Sequence, residues 1–455
     1  MHVHTISNYA PLSEWQAFAV ANPDIQTIDA FIIDVNGHAL GKRLPVSDAA
    51  TLFNDGVQFS ACAFIADCRG LGHDAGGLGK SDGDPDGVAK PITGTVVRVP
   101  WATIPTAQVQ CHMVDVLKQQ DLWIDPRVLL RNVVQQCRTA GIYPVVACEL
   151  EFYLIDPRRD IDGRISVGAL PQRTAPRRAA NLSLDAVDEN SPFLSAVMAA
   201  AAAQNIPVCG CVAEYGLGQH EINLRHLADP VLAADQAVLL KRLIRGVARR
   251  FEVEATFMAK PFAEQPGSGL HVHVSLIDER GDNRFGAPGG EALLKQAVAG
   301  MQALMYDSVG FFAPNFNSHR RYLGPFVPTS LAWGSNNRSV AFRLPVGHGQ
   351  ARRVEHRVAG ADASPHLTVA ALLAAVLHGV THKLVPTAPV EGRASHNEDS
   401  EFPGDLMMAL ARLETSATLA KYFPAKYLQA YAALKRGEYH ALLDSVFGRE
   451  HDFYA

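Results

Sequence analysis

Residues 145–156 read VVACELEFYLID, an apolar run holding Glu149 and Glu151 two positions apart. The alternation is that of a β-strand, which points both carboxylates to the same face. Side by side among apolar neighbours, they repel each other and lose hydration. A cation between them removes both costs, so the strand calls for a positive partner.

Four later segments share this habit. EYGLGQHEINLR places Glu221, Asn223 and Arg225 on one side of a strand, with Glu214 across a glycine loop. GSGLHVHVSL aligns His271, His273 and Ser275, NNRSVAFRLP brings Arg338 and Arg343, and ARRVEHRVAG aligns Arg353, Glu355 and Arg357. Singly, each has an ordinary explanation: a His-x-His pair is usually hydrogen-bonded, and alternating charges usually mark a solvated face. Their repetition weakens that explanation. If the polar faces line one cavity, carboxylates and histidine there suit a hard divalent cation such as Mg²⁺ or Mn²⁺, whereas structural zinc favours thiolates. Guanidiniums beside metal ions suit phosphoryl transfer, because they neutralise developing phosphate charge. The expected ligands are a pair of metal ions and a nucleoside triphosphate.

The bulk numbers set the frame. At 455 residues, two domains are expected; 48% hydrophobic and 19% charged residues describe a globular protein. A net charge of −5 without a long basic run argues against a nucleic-acid surface. The apolar stretch Leu367–Leu377 is too short to cross a bilayer, and the N-terminus lacks a signal-peptide pattern. The cysteines at 62, 68, 111, 137, 148, 209 and 211 read as reduced thiols of a cytoplasmic protein, and Cys209-Gly-Cys211 lacks a second pair for metal.

Strands are expected at Ile28–Val35, after the Asn36-Gly37 turn, at Thr95–Val99 and at Ala107–Val114, with a short helix at Ser47–Asn54. Gly70–Gly87 reads as a loop; its Asp82-x-Asp84-x-Asp86-Gly87 opening has Thr93 where a calcium loop needs Glu. Asp125-Pro126 and Asp229-Pro230 each open a long helix. Further helices are expected at Ser191–Gln204, Glu291–Tyr306, Pro365–Lys383 and in the last fifty residues, between strands at 145–155, 219–225, 271–277, 338–344 and 352–358. This gives an α+β chain: a small, mostly β domain over 1–115 and a large domain over 116–455.

In their order and spacing, ACELEFYLID, EYGLGQHEINLR, KPFAEQPGSGLHVHVSL, NNRSVAFRLP and ARRVEHRVAGADASPHL resemble the glutamine synthetase family, type I, from about Thr27 to Tyr454. The resemblance implies a β-grasp-like N-terminal domain and a catalytic domain on a curved antiparallel sheet flanked by helices. It implies two stacked hexameric rings, a dodecamer, with active sites between neighbouring subunits. One metal would be held by Glu151, Glu214 and Glu221, and the other by Glu149, His271 and Glu355. Asn223, Arg225, His273, Ser275, Arg343 and Arg353 would contact ATP. Gly267, Arg321 and Arg357 would hold L-glutamate, with Arg338 steadying the transferring phosphate.

Departures from the family concentrate where the nitrogen nucleophile binds. An Asp that helps deprotonate ammonium is matched by Ser60, and a Glu on a flap by Val327. Pro266 stands for a glutamate-binding Asn, as in the γ-glutamylpolyamine synthetase branch; Gln350 stands for a nucleotide-contacting Lys, and no tyrosine for regulatory adenylylation precedes Pro403. Ammonium needs acceptors and a base, so an apolar valine fits an alkyl amine better. The leading expectation is an ATP-dependent ligase of glutamate and a primary amine or polyamine. Glutamine synthetase using ammonia is the nearest alternative; a catalytically silent assembly and a metal-dependent hydrolase explain the residues less well.

Overall fold

Two sheets follow one another along the chain in this computed structural model, which describes residues 9–118, 120–170, 181–324, 327–394, 399–444 and 446. The first collects β1 (Thr27–Ile33), β2 (Ala39–Pro45), β3 (Val57–Ser60), β4 (Asp86–Pro91), β5 (Val97–Arg98), β6 (Thr106–Asp115) and β7 (Gln120–Asp121). The second collects β8 (Tyr143–Ile155), β9 (Val208–Ala213), β10 (Gln219–Leu224), β11 (Glu254–Thr256), β12 (Leu270–Ile277), β13 (Trp333–Ser335), β14 (Phe342–Leu344) and β15 (Val354–His356).

Asn36-Gly37 turns the first hairpin: Gly37 sits at φ 78°, and Asp34 accepts from the amides of Asn36 (3.0 Å) and His38 (2.7 Å). β1 then pairs antiparallel with β2 and parallel with β6, in the order β2-β1-β6-β4-β3. The second sheet runs β13-β14-β15-β12-β8-β10-β9, with β11 also on β8. Its pairings are antiparallel except β13 with β14.

Helices Pro126–Thr139 and Pro230–Arg250 begin where the Asp-Pro pairs place them. Asp125 accepts from the amide of Arg127 at 2.8 Å, and Asp229 from that of Val231 at 3.0 Å. Helices Gly290–Phe312 and Pro365–Thr381 touch backbone to backbone. A Cβ on Gly300 would fall 2.0 Å from the Ala375 carbonyl, and one on Gly379 2.1 Å from that of Gln296. Buried Asp235 ties these helices to the first sheet, accepting from Gln110 of β6 (2.8 Å), Arg127 (3.0 Å) and His366 (2.8 Å). One apolar core runs through both sheets and the helices between them.

Several expected boundaries shift. The strand expected at 338–344 is only Phe342–Leu344, and that at 352–358 only Val354–His356. Asn336 at φ 49° and the Asn337 side chain, which accepts from the Ser339 amide at 3.0 Å, fold the preceding residues into a turn, so Arg338 stands at its tip. Thr95–Val99 contracts to the two residues of β5, and β4 begins inside the expected loop at Asp86. Among the described residues no helix is long and apolar enough to cross a membrane.

Candidate active site

Strand register assembles the site. Glu151 lies opposite Glu221, and Glu149 opposite Asn223, where β8 meets β10. On the other side of β8, His271 lies opposite Glu149. His273 faces Glu355 across β12 and β15, and Glu355 faces Arg343 across β14. Directly opposed residues share a face of a sheet, so segments far apart in sequence contribute to one polar surface.

Ligand-capable atoms of Glu149, His271 and Glu355 lie within 4.8 Å of one another, as do those of Glu151, Glu221 and His271. The triplet Glu149–His271–Glu355 expected from the sequence is therefore brought together whole. In the other, His271 takes the place expected for Glu214, which lies at the end of β9 close enough to Glu151 and Glu221 to act on their charges.

Four of the five carboxylates, Glu149, Glu355, Glu214 and Glu221, fall into two electrostatic classes. Burial works to raise the Glu355 carboxyl, but Arg357, His271 and His273 outweigh it and pull it down to about 2. Glu149 behaves alike: burial opposes, and bonds to His271 and His273 hold it well below the usual range. The remaining pair goes the other way. Burial, then the charges of Glu149, Glu151 and Glu214, push Glu221 up to about 9; burial, then Glu151, push Glu214 up to about 7. Glu149 and Glu355 are neutralised by imidazole and guanidinium, whereas Glu214 and Glu221 receive too little positive charge to offset their burial and the carboxylates around them. A divalent cation fits that deficit, and the donors, carboxylates with imidazole and no thiolate, suit Mg²⁺ or Mn²⁺.

Neighbouring groups fix the carboxylates. The Gly269 amide donates to Glu151 at 2.7 Å, and the Gln219 amide links Glu151 (3.4 Å) with the Gly267 carbonyl (3.0 Å). His273 Nδ1 accepts from Arg353 Nε at 3.1 Å, so its Nε2 donates to Glu149 at 2.6 Å. Asn223 donates to Glu221 at 3.1 Å. Arg343 (2.7 Å) and Arg357 hold opposite oxygens of Glu355, which is 1% exposed. Arg321 is buried at the end of the short helix Phe316–Arg321, donating to the Val358 carbonyl at 2.8 Å. A Cβ on Gly267 would meet its Cγ at 2.7 Å; one on Gly269 would fall 2.8 Å from both Arg321 Nη2 and His271 Nε2. Gln219 and Gly269 are absent from the residues expected from the sequence; the Gly-Ser-Gly spacing before β12 is the one local signal that could have pointed to a close backbone approach.

A cavity of about 540 Å³ beside this face is lined by Val145, His226, Ser275, Gln350, Arg352 and Arg353. Ser275 and Arg353 are expected there; His226 is not, and its ring lies 5.7 Å from that of His273. Gln350 binds the Asn283 amide (3.0 Å) and Asp282 (2.9 Å), closing the loop after β12. Arg225 is exposed just beyond β10, and Arg338 is exposed where its charge acts on Glu214. Tyr153 holds the Pro266 carbonyl at 2.8 Å.

Ser60 ends β3, donating to the Asp84 carboxylate and accepting from the Cys62 amide at 3.1 Å. Val327, read from the sequence as an apolar surface, is instead 6% exposed and packed into the core.

Residues 123–454 match the glutamine synthetase catalytic domain. Over 422 residues the chain is 39% identical to gamma-glutamylputrescine synthetase PuuA of Escherichia coli (strain K12), covering 91% of this chain and 89% of that protein. It is 32% identical over 430 residues to the glutamate–isopropylamine ligase of Pseudomonas sp, covering 90% and 91%. A solved GmaS/ADP complex shares the fold with a TM-score of 0.82 at 24% identity, covering 96% of this chain and 98% of that one. The chain belongs to the glutamine synthetase family, whose members use ATP and divalent metals.

Proposed function

We propose that the chain is an ATP-dependent ligase joining the γ-carboxylate of L-glutamate to a primary amine or polyamine. The observation that carries this reading is likeness, over most of the chain, to two enzymes whose names specify alkyl amines. Plain glutamine synthetases are also relatives, at lower identity, 27% for that of Pyrococcus abyssi (strain GE5 / Orsay). The ammonia-using alternative is correspondingly less supported.

Glu149, His271 and Glu355 would hold one divalent cation; Glu151 and Glu221, with Glu214 or His271, would hold the other. Such ions supply charge screening for the phosphates and polarise the transferring phosphoryl group. Ser275, Arg353, His273, Asn223, Arg225 and Arg343 serve the nucleotide side. Gly267, Arg321 and Arg357 serve glutamate, whose γ-carboxylate oxygen displaces ADP from ATP, with Arg338 over the moving phosphate. The neutral amine nitrogen then attacks the acyl carbon of γ-glutamyl phosphate. Phosphate leaves with the C–O bonding pair, and the nitrogen passes its extra proton to the departing phosphate.

The same reading divides the chain into a β-grasp-like domain over 1–115 and a catalytic domain over 116–455; two successive sheets support the division, with β7 beyond residue 115 still pairing with β6 of the first. It places the protein in the cytoplasm as a dodecamer of two stacked hexameric rings, Ser60 serving a neighbour's acceptor site. The test is phosphate release with ATP, Mg²⁺ and glutamate against a panel of amines and ammonium. Turnover with ammonium alone would replace this reading with glutamine synthetase.

A further inference from the structure

Behind the second sheet, away from the glutamates, lies a cavity of about 510 Å³ walled by helix Pro230–Arg250, β11 and helix Ala425–Leu443. Lys241 and Arg245, one turn apart on the first helix, both line it. Lys241 is 4% exposed, and its ammonium donates to the Ala363 carbonyl at 2.9 Å, using one of three donors. Both cations stand over the Phe257 ring, Lys241 at 5.7 Å and Arg245 at 5.0 Å. Among the described residues neither has a carboxylate at ion-pair distance, and the Arg245 guanidinium has no hydrogen-bond acceptor.

Most other charges on the wall are already paired. Arg159 pairs with Glu254 at 2.8 Å, and Glu438 with Lys435 at 2.9 Å. Asp362 offsets Lys241 in part: its Oδ2 accepts from Asn315 (3.0 Å) and Ser318 (2.6 Å), its buried Oδ1 has no hydrogen-bond partner, and it makes no ion pair with either cation among the described residues. Like charges four residues apart on a helix repel, and each loses hydration in an apolar pocket. A single aromatic ring attracts both cations without neutralising either. Burial, then Arg245, lower the Lys241 ammonium to about 7, in keeping with a missing counter-ion.

We propose that this cavity binds a small organic carboxylate, its anionic end held by Lys241 and Arg245. Its carbon chain would lie against Ile155, Ile165, Met258 and Leu442. The Arg245 fork and the two free Lys241 donors suit a carboxylate, and the apolar wall suits an attached chain. The site is separate from the acidic face and does not depend on which nucleophile that face accepts.

The test is calorimetric titration of the full chain with hexanoate, glutamate, ADP and Mg²⁺ being kept saturating so that the catalytic face is filled. Hexanol and hexylamine serve as uncharged and cationic controls of the same chain length. Hexanoate is expected to bind once per chain, at least about ten-fold tighter than either control. Arg245→Gln, at a partly exposed position, should weaken it about ten-fold without unfolding the chain, as Lys241→Gln should if that variant folds. Lys118→Gln, an exposed cation outside this cavity, should leave it unchanged. Equal binding of hexanol, full affinity in Arg245→Gln, or no hexanoate binding would each overturn the proposal.

Discussion

The two sides of β8 solve opposite electrostatic problems. On one, Glu149 and Glu151 meet charged residues of β10, β12, β14 and β15 within a few ångströms, each placed by strand register. On the other, Phe152 packs against Phe257 at 5.6 Å, and two cations of a single helix, Lys241 and Arg245, stand over the Phe257 ring. A sheet gathers groups from distant segments onto one face, so it can interleave signs; a helix turn repeats its own spacing and here stacks two cations. The sheet face still ends unbalanced. Its arginines sit on Glu355 and its imidazoles on Glu149, leaving Glu221 and Glu214 to be neutralised from outside.

Glu151 carries the largest expected effect on the sheet face. Glu151→Gln should lower kcat/KM about 10³-fold or more, on the order of 4 kcal/mol, by misplacing the cation that orients phosphate. Near-normal phosphate release in that variant would make the carboxylate pair structural. Gly269→Ala comes next, because its Cβ would press on Arg321 and His271 together. A loss of about 10² in turnover with the fold intact by circular dichroism is expected, and unaltered turnover would remove Gly269 from the site.

A smaller effect concerns the nucleophile. At least one alkyl amine should exceed ammonium in kcat/KM by about ten-fold, about 1.4 kcal/mol. Equal rates of free glutamine formation would count against the amine reading.

The smallest effect is on stability. Glu221 titrates from 4.5 in the open chain up to about 9 when folded, so the unfolded state releases its proton first as pH rises. Its contribution is full below 4.5 and is lost as pH rises toward about 9, with Glu214 acting likewise toward about 7. In chelator, Tm should fall between about pH 5 and about pH 9, while the stabilisation by Mg²⁺ or Mn²⁺ grows over the same range. A metal-induced Tm shift independent of pH would break the link between these glutamates and a cation.

Alternation along β8, the two Asp-Pro helix starts and the Asn-Gly hairpin are properties of neighbouring residues, legible in local order and spacing alone. Local order also sets which side of each strand its polar residues share, because side-chain direction alternates with period two. Which strands would be neighbours was decided by tertiary structure, and with it the meeting of His271 with both glutamate pairs and the outlying place of Glu214. The turn that lifts Arg338 off its expected strand is closed locally by Asn337 and Ser339, and is tied to the rest of the fold where the Asn337 amide donates to the Val390 and Gly392 carbonyls. Gly269 and Gln219 owe their roles to Arg321 and Glu151, distant in sequence, and Val327 owes its burial to packing that local composition does not specify. The cavity behind the sheet exists only because Phe257, Asp362 and the last helix close around Lys241 and Arg245. Local pattern fixes direction and element type, whereas distances between charges are set by register and packing, and those distances decide what the site can hold.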